Sequence, residues 1–464
     1  MTSTCIHEPR IAASGWQDSL RSGIWPRSVV LWMTVFWLAL FIIRPGEMLF
    51  PKLAEWHAER LWAIATISAV MAFGMLRLCP SLQTYAVLLF LAALTLSSIC
   101  SLDGSAAWVE LYKYIVLVVS YFVLLSAIRT PYQLVFVVTC YVAITAAYLG
   151  KSEYEYFVHG AGAYMMGVKR LIGLDTDYGH PNAVAASSVL ALPLVHFLWD
   201  ARQYFTRTWP QIWRCLFPPA LVAFVLLAIP AIVLTNSRSG MLGFVVFVFL
   251  TAVSRKTHRA RIVGLVCMGL LLVAVWAAMP QDSKDRLRTL WDPSAGPSNA
   301  HESAMGRIEG MMAGLMMFER FPVTGVGIGN FIPYRVANVD GVPLDPHNLL
   351  GEMLGETGVL GTGAFLLVLA AMMVNCRRTA ALAKQGSDAD QQMLSRLTEA
   401  CVHTVLLLLF FGLFSHNLLR FNWLWLAAFA LHCRMFSEQI CLASQESSDM
   451  CVHQHDRHMR SDGA

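Results

Sequence analysis

Asp345-Pro346-His347-Asn348-Leu349-Leu350-Gly351-Glu352-Met353-Leu354-Gly355-Glu356-Thr357-Gly358-Val359-Leu360-Gly361 leads from a polar loop end directly into an apolar run that continues to about residue 375. About 20 apolar residues span a bilayer as a helix, so this stretch reads as a transmembrane helix with its start at the membrane boundary. Pro346 restricts Asp345 to an extended conformation, and the spacing places His347 and Asn348 at the first turn of the helix. A helix start exposes backbone N–H groups and carries roughly half a positive charge. It attracts phosphates and resists protonation of a neighbouring histidine, leaving a neutral imidazole available as a base. Glu352 and Glu356 follow one and two turns later on about one face. Intramembrane carboxylates are costly and tend to be functional, although so near a helix start they can also complement the dipole.

The rest of the chain agrees with a membrane setting. Its 464 residues are 56% hydrophobic and 14% charged, with a mean hydropathy of +0.55. Soluble domains carry about 25% charged residues. The net charge of +4 gives no reason to expect nucleic acid as a partner. Twelve apolar runs are candidate spans, at about 28–43, 61–76, 84–100, 112–128, 132–149, 182–199, 214–234, 239–254, 262–279, 348–375, 399–415 and 421–437. The expected fold is therefore an all-α polytopic membrane protein of about twelve transmembrane helices, with a cytoplasmic segment at 1–27, a membrane domain at 28–437 and a disordered cytoplasmic tail at 438–464. The first run ends at Arg44-Pro45-Gly46-Glu47 without a cleavage site and reads as a retained helix.

Basic residues orient the bundle. Arg255, Arg259 and Arg261 form one basic loop; Arg202, Arg207 and Arg214 form another; Arg377, Arg378 and Lys384 form a third, in register with Arg10, Arg21 and Arg27 at the N-terminus. These face the cytoplasm, as do both termini. Two long loops lie on the other side, from 151 to 181 and from about 280 to 346, the second with an apolar-faced helix beginning at Ser303. A loop of that length is usually functional. The long external loops hold none of the 11 cysteines, so no disulfide framework is expected there.

Arg238, in Ser237-Arg238-Ser239-Gly240 on the external side, sets a guanidinium beside the free donors of a helix start, an arrangement suited to a pyrophosphate. Snorkelling to lipid headgroups is the alternative. Arg307 opens the external helix, where it either projects over the membrane face or is solvated. His416-Asn417-Leu418-Leu419-Arg420 repeats the His-Asn-Leu-Leu wording, which makes His416 a competing base and Arg420 a third cation. The glycines from Phe321 to Phe331 lack the flanking strand and helix of a dinucleotide loop and read as a tight turn. Asp175-Thr176-Asp177 with His180 is a weak metal motif, and His180-Pro181-Asn182 reads better as a helix cap. Cys451, His453, His455 and His458 form a loose metal-like cluster on the cytoplasmic tail, which reads better as disordered. No metal and no cofactor is expected.

These motifs resemble the O-antigen ligase and polymerase superfamily of bacterial envelope enzymes. The family's signature of His, then Asn, nine residues and Gly-x-x-Gly is met by His347, Asn348, Leu349 to Thr357, Gly358 and Gly361. The Ser237–Gly240 turn and the long external loop match its layout, and the resemblance covers about Val222 to Ala370. The pair at His416 departs from it, because Ala427 stands where the first glycine belongs. The resemblance implies a glycosyltransferase-C-like protein of the bacterial inner membrane. It would transfer a glycan from undecaprenyl pyrophosphate to an acceptor hydroxyl by metal-independent inversion, with His347 as base and Arg238 and Arg307 on the departing pyrophosphate. Ser237, Ser239, Asn348, Glu352, Glu356, His416 and Arg420 would support them. The acceptor is the lipid A core for a ligase, with a growing glycan or a protein hydroxyl as the alternatives. A secondary transporter is the alternative of another class, and it predicts charged or broken helices at the bilayer midplane.

Overall fold

A computed structural model describes residues 25–461 apart from 46–49, 51, 53–54, 166–167, 175–178, 256, 280, 289–298 and 386–387. The helices are α1 Val29–Ile43, α2 Ala58–Ala72, α3 Leu82–Ile99, α4 Gly104–Ala127, α5 Pro131–Val158, α6 Pro181–Phe205, α7 Gln211–Leu234, α8 Arg238–Val253 and α9 His258–Ala278. After them come α10 Gln281–Arg288, α11 Asn299–Arg320, α12 Phe331–Asn338, α13 Leu349–Leu382, α14 Ala389–Gly412 and α15 Phe421–Ser461. The strands β1 Ala163–Met165 and β2 Val168–Arg170 form an antiparallel hairpin, Tyr164 opposite Lys169.

Each of the twelve apolar runs falls largely within a helix, although the runs at 61–76 and 399–415 outlast theirs by a few residues, and the protein is an all-α polytopic membrane protein. Among the described residues, eight helices are long and apolar enough to cross a membrane, and α1 and α8 are shorter apolar helices. Local sequence starts many of them. Ser28, Ser81, Asp103, Thr130, Ser237, Thr257 and Asp388 each accept a backbone N–H as N-caps, and Pro131 and Pro181 occupy first-turn positions.

Packing then sorts the helices. Residues 421–433 at the start of α15 are buried on every side, as a helix apolar all round must be. Helix α13 runs against α3, α11, α14 and α15, and α6 against α14. By contrast, α9 buries none of its residues and packs on α8, leaving its apolar surface for lipid. The tail expected to be disordered continues α15 to Ser461; no Gly or Pro occurs between 421 and 461 to stop it.

The external helix α11 crosses the start of α13 through glycines. Gly310 meets the Pro346 backbone and Gly314 meets Gly351, while Gly355 lies against Gly314. Small residues four apart let two backbones approach closely. Beyond this crossing α13 breaks at Gly358, whose φ of 59° and ψ of −160° only glycine adopts readily. The Gly325–Gly329 turn fills the break: Val326 and Gly327 donate to the carbonyls of Gly355 and Glu356, and Val359 donates to that of Pro322. The expected tight turn is thus a splint for the helix that carries His347. A small separate core of Ala313, Met317, Val326 and Phe331 seats it.

Candidate active site

His347 and Asn348 sit one step earlier than the sequence suggested. Asn348 is the N-cap of α13, its Oδ1 accepting from the N–H of Leu350 at 2.9 Å and of Gly351 at 3.1 Å. His347 precedes the cap with φ at 49°. Pro346 before it and the Asn348 cap after it hold this uncommon left-handed turn. The imidazole is thereby turned off the helix axis and lines a cavity of about 1100 Å³.

The turn joining α14 to α15 faces it. His416 lies with its ring centroid 5.7 Å from that of His347. Three contacts grip this turn. Asn348 Nδ2 donates to the Leu413 carbonyl at 3.3 Å, the Leu418 N–H donates to Glu352 at 3.1 Å, and Arg307 Nε donates to the Phe414 carbonyl at 3.4 Å. Glu356, one turn on, accepts the Phe331 N–H at 3.1 Å and so fixes the start of α12. Both carboxylates are buried and line the cavity. Besides complementing a dipole, they hold the loops that carry the rest of the site.

Arg238 is the first residue of α8, with Ser237 as its N-cap. The hairpin β1–β2 sets the turn before it. Leu171 N–H donates to the Leu234 carbonyl at 2.9 Å, Arg170 Nε to the Thr235 carbonyl at 2.7 Å, and Asn236 Nδ2 to the Lys169 carbonyl at 3.2 Å. Arg170 also donates to Asn182 Oδ1 at 2.8 Å. One buried guanidinium therefore ties the hairpin, the Arg238 turn and the start of α6 together. His180 caps α6, its Nδ1 accepting from the Asn182 N–H at 3.3 Å, as its wording suggested.

The predicted residues converge. Arg238 and Arg307 are close enough for the charge of the first to depress the proton affinity of the second, after burial. Arg307 in turn acts on His347. Burial is the first cause holding the His347 imidazole below its ordinary range; the His416 charge adds to it and Asp345 opposes. His416 is lowered first by burial as well, although one side of its ring stays open to the cavity, and burial pushes His180 down to about 4. Arg420 and Ser239 line the cavity together with His180, His347 and His416. Neither Arg238 nor Arg307 is among the described residues that line it, but each adjoins one that does: Arg238 precedes Ser239, and Arg307 donates to the carbonyl of Phe414. Asp175 and Asp177 lie outside the described residues.

Sequence reasoning missed Arg170, the role of His180 at the cavity, and a second charged wall formed by Arg44, Glu59, Arg60, Glu110 and Lys113. The glycine spacing 306, 310, 314 against 351, 355 was a readable signal for the α11–α13 crossing. Nothing local marks Arg170, because its partners are 12 and 65 residues away.

No curated protein matches the chain. The family model described as O-antigen ligase matches residues 222–366, a segment that contains Arg238, Arg307, His347, both buried glutamates and Gly358, and over that segment the match supports membership of the O-antigen ligase superfamily.

Proposed function

We propose that this protein transfers a glycan from a membrane-borne polyprenyl diphosphate, undecaprenyl pyrophosphate, to an acceptor hydroxyl at the extracytoplasmic face of the bacterial inner membrane, as an O-antigen ligase. The family match supports glycan transfer of the ligase or polymerase kind. One observation carries the finer reading: an imidazole held below its ordinary range by burial opens into the cavity, with the charge of Arg307 acting on it and that of Arg238 acting on Arg307.

In this reading His347 accepts the proton of the acceptor hydroxyl as that oxygen attacks the anomeric carbon. The new glycosidic C–O bond forms on one face of the sugar while the bond to the diphosphate oxygen breaks on the other, so the configuration inverts. The electron pair goes to the diphosphate, whose growing charge Arg238 and Arg307 offset. The proton on His347 then passes to solvent. Aromatic and aliphatic side chains such as Trp37, Ile64 and Val116 line the same cavity and suit a lipid carrier. The basic loops at the opposite end of the bundle support a cytoplasmic location for it and for both termini. A polymerase, or a ligase acting on protein, would use the same base and arginines with another acceptor.

His347→Ala and Arg238→Ala are each expected to abolish surface glycan with unchanged protein in the membrane, while polymer accumulates on the lipid diphosphate. Loss of a base costs about 10²–10⁴-fold. Normal surface glycan in either variant refutes the mechanism, and accumulation of single repeat units would assign polymerisation instead.

A further inference from the structure

The cavity that His347 lines has a second group of charged residues, on elements outside the matched segment. Arg44 follows α1, Glu59 and Arg60 lie at the start of α2, and Glu110, Tyr112 and Lys113 lie on the early turns of α4. At about 1100 Å³ the cavity exceeds the roughly 300–1,000 Å³ that one drug-sized ligand occupies. The donor's diphosphate, held at the arginine side, leaves room for another group.

The chemistry of this wall differs from that of an anion site. Its three cations are nearly balanced by two carboxylates, and Lys113 Nζ lies 2.7 Å from Glu110. The Arg60 guanidinium lies 5.7 Å from the centre of the Tyr112 ring. A phosphate needs surplus positive charge. A carboxylate paired with an ammonium, and a guanidinium over an aromatic ring, instead offer acceptors and donors together, which matches neutral hydroxyls that each donate and accept. Arg60, Tyr112 and Lys113 are exposed and Glu110 is half-buried, so the groups are within reach of a ligand.

The wall is also held at a fixed position relative to the base. Asn330 Oδ1 accepts the Asp103 N–H at 2.8 Å and its Nδ2 donates to the Asp103 carbonyl at 3.1 Å, clamping the start of α4 to the chain before α12. The next residue, Phe331, is bonded to Glu356 on the helix of His347. Glu110 packs beside Gly329, where an added Cβ would lie 2.9 Å from its Cγ. Its charge is felt by His416 and Glu356 across the cavity. An acceptor seated here would have its reacting hydroxyl between this wall and His347.

We propose that Glu110, Lys113 and Arg60 with Tyr112 form a saccharide subsite that binds the acceptor glycan. This rests on the transfer reading given above. The donor carries sugar as well, so the test must separate the two. Glu110→Gln and Lys113→Gln are assayed in proteoliposomes with purified lipid-linked donor and acceptor glycan. The acceptor KM should rise about tenfold or more in each, the equivalent of one charge-assisted hydrogen bond, with donor KM and kcat within twofold of wild type. A raised donor KM, or no change in either constant, overturns the assignment. Transfer to a protein hydroxyl that is insensitive to both variants overturns it too. Binding of a fluorescently labelled oligosaccharide, released by mild acid from the host's surface polysaccharide, to the detergent-solubilised protein needs no turnover. Weaker binding in both variants supports the subsite even if wild type transfers nothing, a result that would sink the transfer reading alone; equal binding overturns the subsite. Lys113→Arg, which keeps charge and reach, should restore most of the affinity.

Discussion

Replacing Gly314 by alanine tests whether the α11–α13 crossing sets the geometry of the site. An added Cβ would lie 2.7 Å from the Cα of Gly351. Carbon atoms pack at about 3.5–4.0 Å, so the helices must part by roughly 1 Å. Backbone on both sides leaves no side chain to swing away. The Arg307–Phe414 bond is already 3.4 Å long. One further ångström takes it past any hydrogen-bonding distance. Overpacking costs about 1–3 kcal/mol, and a 1 Å misplacement of catalytic groups can cost about 10²-fold in rate. The variant should insert and purify normally yet lose about two orders of magnitude in glycan transfer, measured in proteoliposomes. Gly306→Ala on the same helix is the control, because nothing lies within 4 Å of its added Cβ. It should keep full activity and gain up to about 1 kcal/mol in helix stability. Full activity in Gly314→Ala, or equal loss in both variants, would refute the reasoning.

Two other perturbations address the electrostatics and the hairpin. If His347 is the base, the reaction requires its neutral form, and a depressed proton affinity places the acid limb of the pH–rate profile below pH 6.5. His416→Ala and Arg307→Gln each remove a positive influence and should move that limb upward, whereas Asp345→Asn should move it downward; unmoved limbs in all three would exclude His347 as the titrating group. Arg170→Ala deletes charge-assisted bonds to Thr235 and Asn182 worth about 1.5–3 kcal/mol each. The Tm in detergent and the transfer rate should fall in the order wild type, Arg170→Lys, Arg170→Ala, and an unchanged Tm in the alanine variant would contradict the anchoring role.

Sequence alone determined the membrane class, because apolar runs of about 20 residues have few other uses. It also determined where helices begin, since Asn348, Ser237 and His180 cap through atoms within three residues of themselves. It pointed to His347, Arg238 and Arg307 because helix starts and boundary arginines are local features. The tertiary structure decided which distant groups meet. His416 and His347 are 69 positions apart and share one enclosure only because Asn348, Glu352 and Arg307 hold the intervening turn. Burial, the first cause of the depressed proton affinity of His347, likewise exists only once several elements enclose it. The wall of Glu110, Lys113 and Arg60 was invisible for the same reason: each is an ordinary boundary charge until α2 and α4 pack together and close on the cavity that His347 lines. Short-range bonding is written in neighbouring residues, whereas enclosure is a property of several helices at once.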